Sequence, residues 1–287
     1  MRYEVPPDVP AAVALLQGEA GLTRILAGGS DVLVQLRSGL VEPDLVVDIK
    51  RIDGMRQISE SDTGYRIGAA VSCAELSEHA SLPKDYPGVV EGANLIGSTQ
   101  IQGRATMVGN LCNASPAADS VPALVAAGAE VEIAGPDGTR TAAVADIPAG
   151  PGRTSLAKGE FITAILLPKP AANSSDAYLR FIPRTEMDIA VVGAGANLTV
   201  DATGTITAAR IALGAVAPTV VEVPEAAAAI IGTSFDEGAA AALQAAAEAA
   251  CSPIDDKRGT IEFRTDVAGV LARRAAKIAY DRARNAQ

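Results

Sequence analysis

The sequence of 287 residues has no tryptophan, one histidine, three cysteines and only 3% aromatic residues. A lone histidine, His79, leaves no second one for a nucleophile–base triad or a facial metal site. Cys73, Cys112 and Cys251 are too few and too widely spaced to hold zinc or an iron–sulfur cluster within the chain. These shortages exclude most hydrolases and metalloenzymes, and predict neither catalytic side chains nor metal ligands. No apolar run reaches the length of a membrane span, and Met1-Arg2-Tyr3-Glu4 does not open a signal peptide. The expectation is a cytoplasmic chain with no membrane span. Twenty-four Lys and Arg stand against 34 Asp and Glu, a net charge of −10, and the cations are scattered. Nucleic-acid binders cluster them, so nucleic acid is not an expected partner. A chain so poor in reactive side chains either binds passively or lets a cofactor do the chemistry.

What is present is a core former's composition: 48% apolar residues, mostly Ala, Val, Leu and Ile, with 20% charged. That balance suits one or two folded domains and is not that of a disordered chain. Apolar spacing predicts a helix over 10–17, a short strand over 23–27, the first turns of a helix over 32–37 and a buried strand over 45–49. Further on, 65–69 reads as a strand, Ser72-Cys73-Ala74-Glu75 as a capping box, and 89–96 as a helix ended by Gly97. Residues 103–110 carry the densest turn chemistry. Ser115-Pro116 supplies a cap and a helix-starting proline ahead of a helix over 117–127. Strands follow at 131–133 and 161–167, separated by a Pro/Gly-rich loop between 147 and 152. The stretch 168–175 has the composition of a linker. Beyond it, 189–200 and 206–213 read as hairpin strands around Asp201-Ala202-Thr203-Gly204, and Ala-rich helices are expected over 236–251 and 265–284.

Two loops concentrate backbone freedom and polar groups. Ala27-Gly28-Gly29-Ser30-Asp31 follows a strand and opens a helix, where bare amides can approach an anion. Its spacing is neither Gly-x-Gly-x-x-Gly nor a Walker loop, and a plain tight turn is the alternative. The second loop runs from Thr106 to Asp119 through Gly109, Asn110, Cys112, Asn113 and Ser115. Such dense polarity before a helix suits a polyol and diphosphate ligand. An Asx-turn with a serine cap accounts for Ser115 but not for Gly109-Asn110 or Asp119.

Together, Ala27-Gly28-Gly29-Ser30-Asp31 and Thr106-Met107-Val108-Gly109-Asn110 resemble the two FAD-binding motifs of the flavoprotein (medium) subunit of molybdenum hydroxylases, the carbon monoxide and xanthine dehydrogenase family. The resemblance continues through Asn113-Ala114-Ser115-Pro116-Ala117-Ala118-Asp119-Ser120-Val121-Pro122 and resumes at 210–219. It ends at Asp256-Lys257-Arg258-Gly259-Thr260-Ile261-Glu262-Phe263-Arg264, so it covers essentially the whole chain. One position departs: the second motif usually reads Thr-Ile-Gly-Gly-Asn, and Val108 stands for its first glycine. If that glycine carried positive φ, valine would be strained there.

The resemblance implies an α/β protein: a two-part FAD-binding domain over 1–172 (subdomains about 1–54 and 55–172), then a C-terminal domain over 176–287 with an antiparallel sheet and helices. It implies that Ala27, Gly28, Gly29, Ser30 and Asp31 wrap the FAD diphosphate, flanked by Leu26 and Val32. Thr106, Gly109, Asn110, Cys112 and Asn113 would reach the phosphates and ribityl chain, and Asp119 the ribityl hydroxyls. Ile96 and Gly97 match positions beside the isoalloxazine, and Ile162 an apolar position near a ring edge. Arg180 stands where many relatives carry a lysine near the flavin. Neither Cys112, read from the residues as a small packing group, nor His79, read as a surface residue, matches a covalent attachment point, so FAD is expected to be noncovalent. Glu186-Met187-Asp188 reads as a solvated turn unless a nicotinamide is the acceptor. The implied function is electron transfer: from a molybdenum cofactor in a large partner subunit, through [2Fe–2S] clusters in a small one, to FAD here and on to an external acceptor. The implied assembly is a dimer of heterotrimers. The alternatives are a free-standing FAD oxidoreductase and a flavin-free scaffold, the latter favoured by Val108.

Overall fold

The computed structural model describes residues 1–285. The chain opens with a small parallel sheet of Arg2–Glu4, Leu45–Asp48 and Thr23–Leu26, in that order across the sheet. Leu45–Asp48 is buried throughout, as a central parallel strand must be. The helix Val9–Gly18 starts where the Asp8 side chain accepts the Ala11 amide at 2.8 Å, and it turns Ala12, Val13 and Leu16 inward. A short helix, Val32–Arg37, follows directly on the first glycine loop.

Next comes a five-stranded antiparallel sheet in the order Ile58–Ser61, Gly64–Gly68, Phe161–Pro168, Glu130–Gly135 and Gly138–Ala143. Its central strand carries Phe161, Ile162, Ala164 and Ile165 into the core. Between its second strand and its fourth lies a run of short helices. The first of them, Cys73–Glu78, has the full reciprocal Ser72–Glu75 capping box. His79 is half-buried rather than a free surface group. Its Nδ1 accepts the amides of Ser81 and Leu82, and its ring meets Tyr65 edge-on.

A four-stranded antiparallel sheet completes the fold, with Ser174–Phe181, Val192–Val200, Ile206–Gly214 and Val221–Glu222 in order. The helices Glu237–Ala249 and Ile261–Asn285 pack on it and bury a second, alanine-rich core. Its first strand begins inside the linker-like stretch: Ser174 and Ser175 are already paired with Thr199 and Leu198. Asp176 on that strand is buried, and its two oxygens accept the amides of Gly88 and Val89 at 2.8 and 2.9 Å. It thereby caps the helix Pro87–Asn94 from across the molecule. No helix among the described residues is long and apolar enough to cross a membrane.

Two elements depart from the sequence reading near the second loop. Met107–Cys112 is a helix, with Thr106 as its N-cap accepting the Gly109 amide at 2.9 Å. Val108 is therefore helical and buried, without the positive φ that would strain it. The following helix spans Ser120–Ala126, not 117–127. Ser115 Oγ accepts the Ala117 amide within a turn, and Asn110 Oδ1 receives both the amide and the hydroxyl of Ser120. The cap comes from a side chain ten residues upstream, which no local pattern could announce.

Candidate functional site

The first glycine loop leaves the strand Thr23–Leu26 and turns at Gly29, whose φ is +81°. None of the amides of Ala27 through Asp31 has an acceptor among the described residues. Five consecutive amides without partners, four on half-exposed residues and one on exposed Asp31, form a surface suited to an anion. The second loop meets the first directly. Arg104 donates its Nε–H to the Gly28 carbonyl at 3.1 Å, and Asn113 Nδ2 reaches Asp31 Oδ1 at 3.3 Å. Gln35 Nε2 lies 3.5 Å from Asn113 Oδ1.

Between the loops opens a cavity of about 660 Å³. Eleven of the seventeen positions implied above line it: Ala27, Gly28, Gly29, Ser30, Asp31, Val32, Thr106, Gly109, Cys112, Asn113 and Ile162. Cys112 borders that space as a residue, yet desolvation pushes its thiol up to about 12, as for a group packed away. Burial raises the Asp31 carboxyl above its ordinary range, with the Ser30 hydroxyl pulling the other way.

The other six positions lie outside the cavity lining. Leu26 is buried behind the loop, and Asn110 is engaged in capping the next helix. Arg180 gathers a second cluster. Its Nη1 donates to the Leu95 carbonyl and to Asp119 Oδ2, both at 2.8 Å, and Ile96 and Gly97 follow directly on Leu95. Tyr178 donates its hydroxyl to the other Asp119 oxygen at 3.2 Å. Both side chains of the Arg180–Asp119 pair are nearly closed to solvent. Burial lifts Asp119 to about 6 despite the lowering effects of Arg180 and Tyr178. Each Asp119 oxygen thus already accepts a hydrogen bond from the protein. Glu186-Met187-Asp188 lies outside the cavity lining in a turn where Glu186 and Met187 are exposed and the covered Asp188 side chain takes the Arg184 guanidinium at 3.0 Å.

Sequence reasoning missed the opposite wall. Thr154, Leu156, Lys158 and Gly159 arrive from the segment ahead of the strand Phe161–Pro168, and Arg24 sits beside the first loop. Neither Arg24 nor Lys158 has an ion-pair partner among the described residues. The available signal was the Pro/Gly-rich loop just upstream; nothing in the sequence placed it opposite the glycine turn.

The residues fit a dinucleotide with a diphosphate. The donors are backbone amides, two cations without ion-pair partners stand at the wall beside Glu19 and Glu160, and apolar Ile25, Leu156 and Ile162 are among the rest of the lining. Comparison with known proteins agrees. Residues 1–170 match the FAD binding domain in molybdopterin dehydrogenase, and 177–279 match the CO dehydrogenase flavoprotein C-terminal domain. The carbon monoxide dehydrogenase medium chain of Afipia carboxidovorans is 34% identical, over 99% of this chain and 98% of its own. The putative xanthine dehydrogenase FAD-binding subunit of Escherichia coli is 33% identical over 68% of each chain. Among solved structures, a crystal structure of Cu,Mo-CO dehydrogenase superposes with a TM-score of 0.93 at 34% identity over 98% of both chains. Quinoline 2-oxidoreductase from Pseudomonas putida gives 0.90 at 27% identity, over 99% of this chain and 98% of its own.

Proposed function

This chain belongs to the family of FAD-binding medium subunits of molybdenum hydroxylases, and on that footing we propose that it relays electrons within such a complex. They come from [2Fe–2S] clusters of a small partner subunit, themselves supplied by a molybdenum cofactor in a large one. They leave through FAD to an external acceptor. The chain is an oxidoreductase subunit by family. The route, the two partners, a dimer of such heterotrimers and a cytoplasmic setting are the proposed part. The observation that carries the reading is the run of unpaired amides from Ala27 to Asp31 on residues that line a cavity shared with the second loop.

FAD, when bound, accepts electrons one at a time and releases them as a pair, which is the conversion a cluster-fed enzyme needs. The residues here bind and orient. The amides of Ala27 to Asp31 would hold the diphosphate noncovalently, with Arg24 and Lys158 adding charge that the acidic chain otherwise withholds. Gly109, Cys112 and Asn113 border the same space, and Ile162 and Leu156 supply an apolar face for a ring. The Arg180–Asp119–Tyr178 cluster stands outside the cavity lining, and its part is to tie the Arg180 guanidinium to the Leu95 carbonyl beside Ile96-Gly97. Val108, helical and unstrained, no longer favours a flavin-free scaffold.

The position of Cys112 gives a direct test. It lines the cavity, with desolvation pushing its thiol up to about 12, whereas Cys251, pushed up to about 11, stands outside the lining and serves as the control. FAD should slow alkylation of Cys112 at least fivefold and leave Cys251 unchanged, read by peptide mass spectrometry. Equal rates with and without bound flavin would remove the cavity as its site. Purification from the native host then separates a subunit from a free-standing enzyme: molybdenum- and iron-containing chains should accompany it.

A further inference from the structure

We propose that Arg104 is a positioning residue for the cofactor diphosphate, acting through the peptide that joins Gly28 to Gly29. The inference rests on the reading of the cavity as an FAD site.

Arg104 does not line the cavity; Gly28 and Gly29 do. Its Nε–H donates to the Gly28 carbonyl at 3.1 Å, across 76 residues of sequence. In a trans peptide the carbonyl and the following N–H point in opposite directions. A Gly28 oxygen held toward a residue outside the cavity lining therefore turns the Gly29 N–H the opposite way, toward the cavity. That amide has no acceptor among the described residues. A peptide flanked by two glycines, one of them at φ +81°, is the easiest kind to flip. An unrestrained flip would present a carbonyl oxygen to the phosphates. Arg104 is exposed and its Nε bond is to a loop carbonyl, so the fold does not depend on it.

The role depends on one N–H at a set distance along the side chain, not on charge. Glutamine places its amide nitrogen the same number of bonds from Cα as the arginine Nε, without the charge. Methionine has similar length and no donor. Titration of FAD into the apo-chain, followed by flavin fluorescence, should show R104M binding about three- to tenfold more weakly, the range for one lost hydrogen bond. R104Q should stay within about twofold of wild type on the same scale. ADP, which keeps the diphosphate, should lose as much affinity as FAD in R104M, and riboflavin should lose none. The apo-chains should melt together.

If R104Q weakens as much as R104M, charge and not the directed bond is at work, and the proposal fails. It fails too if R104M binds FAD like wild type, or if riboflavin weakens in step with ADP. A wild-type chain that takes up neither FAD nor ADP overturns the reading of the cavity, and this inference with it. Binding of FAD by wild type with no loss in R104M overturns the inference alone.

Discussion

A Cβ at position 28 would overlap the carbonyl oxygen of Arg104 and come within 2.7 Å of its carbonyl carbon. The first loop thus needs its glycine because the second loop's backbone presses on it, and close approach of a ligand is not the sole reason. A side chain at Gly28 would part the loops before it met any phosphate. Val108 makes the complementary point. In the helix Met107–Cys112 it fills core space at 7% exposure, so the branched side chain contributes to stability instead of storing strain. Restoring the family's usual glycine by Val108→Gly should cost about 2–4 kcal/mol, from the lost burial of a valine and glycine's poorer helix propensity. It should not tighten FAD binding. Urea unfolding of the apo-chain alongside a flavin titration checks both; a more stable variant, or one with higher affinity, would reinstate a strained backbone at 108.

Elements with their own punctuation were legible from the sequence. The helix Val9–Gly18 has its Asp8 cap and a breaking glycine, Cys73–Glu78 its capping box, and the hairpin of Val192–Val200 with Ile206–Gly214 its Asp-Ala-Thr-Gly turn. The glycine loop and the helix behind it were legible for the same reason. What escaped was set by distant partners. The strand Ser174–Phe181 begins in polar residues that look like a linker, because it pairs with a strand 11 to 25 residues further on and its buried Asp176 answers to amides 87 and 88 residues away. The cavity's far wall was hidden likewise. Asp176 also carries a measurable consequence. Burial raises its pKa from 3.8 to about 7, against the lowering by the Gly88 and Val89 amides. An acid whose pKa rises on folding holds its proton more tightly in the folded chain. Its contribution is therefore present below about pH 4 and is lost as pH climbs toward 7. Asp48, Glu75 and Glu132 are shifted downward and slope the other way, so the wild-type curve mixes signs. The difference between wild type and Asp176→Asn isolates the group. Measured by urea unfolding, wild-type stability relative to the variant should decline from about pH 4 to pH 7. A flat difference would mean that Asp176 does not titrate in that window.

At the scale of the whole molecule, two cores share one seam. The helices Pro87–Asn94 and Ser120–Ala126 belong to the half that carries the glycine loops, yet they lie against the C-terminal sheet. Close approach there depends on missing side chains: a Cβ on Gly195 would sit 2.5 Å from the Pro122 oxygen, and one on Gly88 2.6 Å from the Ala177 nitrogen. Polar groups stitch the same seam. Glu91 accepts the Tyr178 amide at 2.9 Å and the Arg282 guanidinium at 2.5 Å, while Arg282 also donates to the Asp176 carbonyl at 2.9 Å. A seam this close should make the two halves unfold together, although each has its own hydrophobic centre. Gly195→Val tests it, since the clash is with main chain and no rotamer of Pro122 can relieve it. Overpacking of this kind costs about 1–3 kcal/mol, and here the cost falls on the contact and not on either core. Calorimetry of the wild-type chain should give one endotherm that FAD moves upward as a whole. In the variant the endotherm should split, and FAD should raise only the part belonging to residues 1–170, because a ligand stabilises only the unit that binds it. If the variant still melts in one step and FAD still moves all of it, the coupling runs through something other than this seam.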